Sequence, residues 1–184
     1  MALLYPTAQW RTAMAYVETP WTRLASRTMR GLLTRKGATY EETAQRLRIL
    51  GADESTRSVE GKATRGTYTL SFFLLILLAL EADRPTRWDR ILRRRGTIEE
   101  KAAHIFLLEL ESHSLDPGKV AKHLAKLGTE TSVETLHALL ASGTFQFVLL
   151  LQLAALADIS GLERYVDRSD ILAVATDARH ASKT

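Results

Sequence analysis

The sequence predicts an all-α protein built from two related helical domains. No stretch of useful length alternates apolar and polar residues as a half-buried strand does. Residues that start and stop helices bracket apolar positions at helical spacing. The sequence also repeats itself weakly after 77 residues, and 184 residues are enough for two small domains.

The composition is that of a folded globular protein from a reducing compartment. Hydrophobic residues make up 46% and charged residues 25% of the chain, which is too apolar for a disordered protein. The absence of cysteine excludes disulfides, thiolate catalysis, and zinc or iron-sulfur sites that use cysteine. The N-terminal sequence MALLYPTAQWRTAM lacks the basic segment and continuous apolar stretch of a secretory signal. We therefore expect a cytoplasmic protein.

The first predicted helix begins near Thr19 and ends at Gly37. Thr19 and Pro20 are a typical N-cap and first helical residue, and glycine commonly follows a helix end. Residues 1–20 are predicted to form an N-terminal extension that is itself helical. The corresponding helix of the second domain covers about residues 97–112.

A second helix is predicted from Thr39 to Gly51. Glu42 follows Thr39 by three residues, the spacing of a capping box in which both side chains bond free backbone N–H groups. Gly51 suits the left-handed residue that ends a helix. Apolar positions recur between them at helical spacing: Ala44, Leu47 and Leu50.

A third, short helix is predicted over residues 56–64, ended by Gly66. Val59 and Ala63 lie four residues apart and should face inward. On the outer side we expect three cations: Arg57, Lys62 and Arg65.

The most apolar segment, residues 70–80, predicts a buried helix. It is about half as long as the roughly 20 apolar residues that a membrane-spanning helix needs. Glu81, Asp83 and Arg84 close it. Because nearly every position is apolar, we expect burial on several faces and no membrane partner.

The repeat indicates that a second domain contains the same elements. Residues 47–80 align without a gap with residues 124–157. The pairs include the glycines predicted to end helices: Leu47/Leu124, Leu50/Leu127, Gly51/Gly128, Ser55/Ser132, Gly66/Gly143, Thr67/Thr144 and Leu74/Leu151, with Val59/Leu136 and Tyr68/Phe145 similar.

An arginine-rich segment, residues 82–96, connects the repeats, and residues 84–96 of it are predicted to form a helix. Four arginines recur every three or four residues and form a basic stripe that could follow a phosphate backbone: Arg84, Arg87, Arg90 and Arg94. The alternative is a solvated linker helix whose apolar side chains pack between the domains: Trp88, Ile91 and Leu92.

Positive charge is concentrated in the N-terminal half. Residues 1–95 contain 17 Lys and Arg against 9 Asp and Glu, whereas residues 96–184 contain 8 against 12. This asymmetry predicts that the N-terminal half binds a polyanion. The alternative is that the basic residues only solvate the helices.

The first repeat contains the motif T-Y-E-E-T-A-Q-R-L-R-I-L-G followed by V-E-G-K-A-T-R-G-T-Y-T-L-S-F-F-L. Over residues 21–83 it resembles a small bacterial family of unknown function with the pattern Y-x-x-L-A-x-x-L and K-x-x-R-G-x-F-S-x-x-F-F. That family in turn resembles the helix-turn-helix domains of phage-repressor type. The matching residues are Tyr40, Ala44, Leu47, Val59, Lys62, Arg65, Gly66, Phe72 and Phe73.

The resemblance implies two tandem helix-turn-helix-like domains, the first of which binds double-stranded DNA. A recognition helix fits the major groove, where Arg, Lys, Ser and Thr bind base edges and phosphates. One departure is a longer positioning helix, because seven residues separate Ala44 from Gly51. The predicted DNA-binding residues are Thr56, Arg57, Ser58, Lys62, Thr64 and Arg65, together with Arg84, Arg87, Arg90 and Arg94 of the linker.

The second repeat is predicted to bind protein. It has Glu134, Leu139 and Ser142 at the positions of Arg57, Lys62 and Arg65. We therefore expect a homodimer or another protein partner, and a dimer predicts an inverted-repeat DNA site. The alternative is a thicker core. The predicted contact residues are Val133, Leu136, Leu139 and Leu140.

The predicted organisation has five segments. These are the extension 1–20, the basic helix-turn-helix-like domain 21–83, the linker helix 84–96, the diverged second domain 97–167, and a polar, partly disordered segment 168–184.

The sequence thus predicts a bacterial, plasmid or phage transcriptional regulator that needs no cofactor. It contains no His-Glu-x-x-His, no phosphate-binding loop and no G-x-S-x-G, so no enzyme is expected. Glu109 and His113 are four residues apart, but such a pair is more often a surface contact than a metal site. The alternative function is a protein-interaction adaptor or inhibitor on the same scaffold.

Overall fold

The computed structural model describes residues 18–181 and is all-α, as predicted. The prediction of a helical N-terminal extension falls almost wholly outside the described residues. Between residues 18 and 181 the chain forms no strand, and no helix is long and apolar enough to cross a membrane. The α-helices are α1 (Pro20–Arg35), α2 (Tyr40–Ile49), α3 (Thr56–Arg65), α4 (Leu70–Ala79), α5 (Thr86–Leu92), α6 (Ile98–Ser112), α7 (Pro117–Lys126), α8 (Val133–Ser142), α9 (Phe147–Ala154) and α10 (Arg168–Ala181), with a short 3-10 helix at Leu162–Arg164.

The predicted caps start and stop the first helices. Thr39 Oγ1 accepts the N–H of Glu42 (3.1 Å), and the Glu42 carboxylate accepts the N–H of Thr39 (2.9 Å), which completes the predicted capping box. The backbone bond from Thr39 holds the pKa of Glu42 below its ordinary value. Thr19 caps α1 in the same way with Thr22. Gly66 ends α3 with a left-handed backbone at φ 65°.

The order of helices in the first half recurs 77 residues later. α7 and α8 begin and end 77 positions after α2 and α3. α6 follows α1 by the same interval to within a residue at each end, and α9 begins 77 positions after α4. The aligned repeat therefore corresponds to a repeated order of helices.

Contacts between the two halves are reciprocal. α4 packs on α6, and the corresponding α9 packs on α1. The N–H of Leu70 donates to the carbonyl oxygen of Phe145 (3.0 Å), and the N–H of Phe147 donates to that of Tyr68 (2.9 Å). Both donors and both acceptors are 77 residues apart, so equivalent backbone segments pair with each other. We call this pairing the seam.

Aromatic rings fill the core on either side of the seam. The Tyr68 and Phe147 rings stack with centroids 5.3 Å apart, and Phe73 lies 4.3 Å from Phe147. The Tyr68 hydroxyl, buried with its ring, donates to the carbonyl oxygen of Ala25 (2.7 Å). Residues of both halves thus form one continuous hydrophobic core.

Two glycines allow equivalent helices to approach closely. A Cβ atom at Gly66 would lie 1.9 Å from the Thr22 carbonyl oxygen of α1. A Cβ at Gly143 would lie 2.1 Å from the Glu99 carbonyl oxygen of α6. Both glycines have φ 65°, so the backbone conformation favours glycine as well.

The linker helix is shorter than predicted and packs inward. The sequence predicts a linker helix over residues 84–96, but α5 covers only Thr86–Leu92. Trp88, Ile91 and Leu92 are buried, which is the packing alternative to a basic stripe. The Pro85 at its N-cap fixes where the helix begins.

The prediction of a partly disordered segment 168–184 is wrong for residues 168–181. They form α10, which packs on α1 and α9. Apolar residues at helical spacing form its buried side and outweigh the polar residues between them: Ile171, Val174, Ala175 and Ala178.

Buried His123 gives the fold a predicted pH dependence. Its Nε2 lies 3.1 Å from the Gln152 carbonyl oxygen, and only 7% of the residue is exposed. Burial lowers the pKa of His123 below its ordinary 6.5, and Arg179 and Lys126 lower it further. Below pH 6.5 the unfolded chain therefore binds more protons than the folded chain.

The free energy of unfolding should consequently fall as the pH drops through 6.5 towards the lowered pKa of His123. Urea unfolding of the wild type and His123→Gln between about pH 7.5 and 5.5 measures this effect. The slope should be smaller in His123→Gln. Equal slopes would contradict the assignment to His123.

Candidate nucleic-acid interface

Helix α3 is buried on one side and open on the other. Val59 and Ala63 are fully buried against α1 and α2, as predicted. Ser55 Oγ accepts the N–H of Ser58 (3.1 Å) and caps the helix. The outer side forms a shallow depression lined by Ser55, Arg57, Ser58, Glu60, Gly61, Thr64 and Arg65.

The prediction that Lys62 points outward is wrong. Its Nζ forms an ion pair with the Glu54 carboxylate and lies 4.5 Å from the centroid of the Phe72 ring. Only 30% of the Lys62 side chain is exposed. The ring belongs to the first turn of α4, so Lys62 joins α3 to its neighbours.

Arg57 and Arg65 do lie on the outer side of α3. Arg57 is exposed, and its side chain makes no hydrogen bond or ion pair with residues 18–181. Arg65 is exposed, and its side chain extends back along its own helix. Its Nη1 lies 2.9 Å from the position that a Cβ atom at Gly61 would occupy. Gly61 therefore provides room for the guanidinium.

The other predicted polar residues of α3 differ in accessibility. Thr56 and Thr64 are exposed. Ser58 is half-buried, and its hydroxyl donates to Glu54 (2.6 Å). The Glu54 carboxylate thus binds the side chains of both Ser58 and Lys62, which turn towards it.

Helix α1 adds arginines that sequence reasoning missed. Arg23, Arg27 and Arg30 are exposed and spaced by four and three residues, so they share one side of the helix. The spacing was visible in the sequence, but only the contact between α1 and α3 places these residues beside the third helix. A groove between the two helices is lined by Glu18, Arg23, Ser26, Arg27, Arg30, Thr64 and Arg65.

Carboxylates engage two of these arginines weakly. Arg23 lies 3.3 Å from Glu18, and Arg27 lies 3.7 Å from Asp170. Roughly half or more of each of these side chains is exposed, so such pairs contribute at most about 1 kcal/mol. A polyanion can therefore compete for both arginines. We call the exposed set Arg23, Arg27, Arg30, Arg57, Thr64 and Arg65 the basic face.

The predicted arginine stripe of the linker is not formed. Arg84 precedes α5 and binds Asp89 (2.9 Å), which holds the pKa of Asp89 below its ordinary value. Arg87 binds the buried Glu109 through two hydrogen bonds of 2.8 Å. Arg90 and Arg94 are exposed, but Arg94 lies beyond the end of α5.

Glu109 is a structural residue. It is fully buried and accepts hydrogen bonds from Arg87 and from Trp88 Nε1 (2.6 Å). The expected surface contact with His113 is therefore replaced by a buried contact with α5. Within residues 18–181, no three His, Asp or Glu residues are grouped to hold a metal ion.

Two of the four predicted protein-contact residues of the second repeat lie inside the core. Leu136 and Leu140 are 0% and 4% exposed, so they cannot reach another chain, and the core alternative holds for them. Leu139 is 37% exposed and Val133 is half-buried. Leu136 and Leu140 occupy the positions of Val59 and Ala63, and both pairs lie on the buried side of their helix.

One protein-family model matches the segment that contains the basic face. Residues 21–85 match the family model DUF6471, a domain of unknown function. No curated protein and no solved structure matches the chain. The DUF6471 segment covers α1 to α4 and ends before α5. It agrees with the predicted resemblance over residues 21–83 to a family of unknown function.

Proposed function

We propose that the chain is a DNA-binding transcriptional regulator that contacts double-stranded DNA through the basic face. The proposal takes α2 and α3 as a helix-turn-helix-like pair and α7 and α8 as its diverged copy. The observation that carries it is the position of α3, whose outer side is open beside the arginines of α1.

The basic face suits a phosphate backbone next to a groove. An α-helix fits the major groove, and Arg57 on the outer side of α3 can bind base edges. Arg23, Arg27 and Arg30 run along the neighbouring helix, where guanidinium groups bind phosphate oxygens. Gly61 leaves room for the Arg65 guanidinium to lie along the outer side of α3.

The structure narrows the predicted set of contacts. Lys62, Arg84 and Arg87 are held by carboxylates of the protein, so we no longer propose them as DNA ligands. Arg90 and Arg94 are exposed and remain proposed phosphate contacts. Thr56 and Thr64 are exposed and remain proposed contacts of α3.

Alanine substitution of Arg57 should weaken duplex binding by about 1–3 kcal/mol if it binds a base. Arg27→Ala should weaken binding to all sequences and lower the slope of log K against log salt by about 1. Fluorescence anisotropy over a salt series measures both quantities. Lys122→Ala on α7 is a matched control, since it removes one exposed positive charge from the other half.

Two outcomes would count against the proposal. Equal loss from Lys122→Ala and Arg57→Ala would mean that net charge alone drives binding. Absence of salt-dependent duplex binding by the wild type would remove the regulator function. The adaptor function, supported by the acidic second half, would then replace it.

A further inference from the structure

We infer that one chain binds a single, non-palindromic DNA site, because the second half presents a non-binding counterpart of the basic face. This inference rests on the proposed function. It replaces the expected homodimer on an inverted repeat with a different target: one asymmetric half-site per chain.

The two halves contact each other through equivalent residues. The seam joins Leu70 to Phe145 and Phe147 to Tyr68, and these residues are paired by the 77-residue interval. Contacts of α4 with α6 and of α9 with α1 follow the same rule. Such reciprocal contacts are what a two-fold dimer makes between its subunits. One chain therefore already contains both members of the pair.

Helix α6 lacks the arginines that α1 contributes to the basic face. The positions of Arg23, Arg27 and Arg30 are occupied there by other residues, all exposed: Glu100, His104 and Leu107. Glu100 also accepts the N–H of Thr97 (2.9 Å) as part of a capping box. At the start of α6, a carboxylate thus stands where the basic face has its first arginine.

Helix α8 lacks the arginines that α3 contributes to the basic face. Glu134 and Ser142 occupy the positions of Arg57 and Arg65, and Ala141 that of Thr64. All three are exposed, so packing does not dictate them. The buried positions of the same helices, in contrast, stay apolar: Val59 and Ala63 of α3 correspond to Leu136 and Leu140 of α8. On this pair of helices the loss of charge therefore affects the outer side and leaves the packing side apolar.

Electrostatics makes the second surface unsuitable for phosphate. The basic face contains five arginines, whereas its counterpart contains two glutamates and no Arg or Lys. A phosphate backbone repels carboxylates. Without Arg or Lys, this surface also cannot neutralise phosphates and release their counterions, which is what favours DNA binding. The free energy of DNA binding must therefore come from the first half.

The first experiment selects duplexes from a random pool with the full-length chain. We expect one asymmetric motif, and one chain per duplex by analytical ultracentrifugation. Recovery of inverted repeats occupied by two chains would overturn the inference while leaving DNA binding intact. A chain that binds no duplex would instead remove the proposed function itself.

The second experiment restores the missing side chains. The variant combines His104→Arg, Leu107→Arg, Glu134→Arg and Ser142→Arg, and spares the capping residue Glu100. Titration with a short duplex that holds one selected site should give one duplex per wild-type chain and two per variant chain. Circular dichroism before titration checks that the variant is folded.

A control variant carries the same added charge elsewhere on the second half. Glu130→Arg, Ser160→Arg and Asp177→Arg change exposed residues outside the counterpart of the basic face. This control should keep one duplex per chain. Two duplexes per wild-type or control chain, or one per restored chain, would overturn the inference.

Discussion

Replacement of Gly66 by alanine should destabilise the fold by roughly 3 kcal/mol or more. A left-handed backbone costs a residue with a Cβ about 1–2 kcal/mol. The new Cβ would also lie 1.9 Å from the Thr22 carbonyl oxygen, so α1 and α3 must separate and lose packing. Because ΔΔG of 1 kcal/mol lowers Tm by about 2–4 °C in a chain of this size, thermal unfolding should show the change clearly.

Gly51→Ala is the matched control. Gly51 also has a left-handed backbone, at φ 84°, but nothing lies within 4 Å of its Cβ position. Its substitution should cost only about 1 kcal/mol. Gly143→Ala should resemble Gly66→Ala, since its Cβ would lie 2.1 Å from Glu99. Equal losses from Gly66→Ala and Gly51→Ala would contradict the close contact of α1 and α3.

Glu109→Ala should cost about 3–5 kcal/mol, the other large effect. The carboxylate is fully buried and bonds both Arg87 and the indole N–H of Trp88. Its removal leaves a partly buried cation and a buried donor without their acceptor. Urea unfolding with an unchanged m value would measure the loss.

Two further variants separate the causes. Arg87→Leu with Glu109→Leu should recover much of the loss, because an apolar pair leaves no unpaired charge. Arg93→Ala removes an exposed ion pair with Asp89 and should cost less than about 1 kcal/mol. A double variant as unstable as Glu109→Ala would show that the buried Trp88 N–H left without its acceptor, rather than the unpaired charge, sets the cost.

Local signals predicted much of the fold. The predicted helix ends were confirmed at Thr19, Thr39 and Gly66, because helix capping depends on residues close in sequence. Val59 and Ala63 were placed inward by spacing alone. α10 was missed because its apolar residues are small or scattered among charges, and its burial depends on the distant α1 and α9.

The candidate site was only partly predictable. Arg57 was correctly expected on the outer side of α3. The direction of Lys62 depends on Glu54 and on a ring of α4, and that of Arg87 depends on Glu109 of α6. Such tertiary partners cannot be read from a periodic pattern of cations. For the same reason, the sequence did not show that the arginines of α1 lie beside α3. The two helices meet through residues far apart in sequence, such as Ser26 and Thr64, which are 38 residues apart.

The seam joins two halves of one polypeptide, which allows the halves to evolve separately. Two identical subunits come from one gene, so a mutation that alters one alters both. Here the paired halves are encoded separately, and a mutation affects one of them only. Gly66 and Gly143 can both be retained for packing while Arg57 and Glu134 diverge, which lets a single polypeptide evolve two different surfaces on one shared framework.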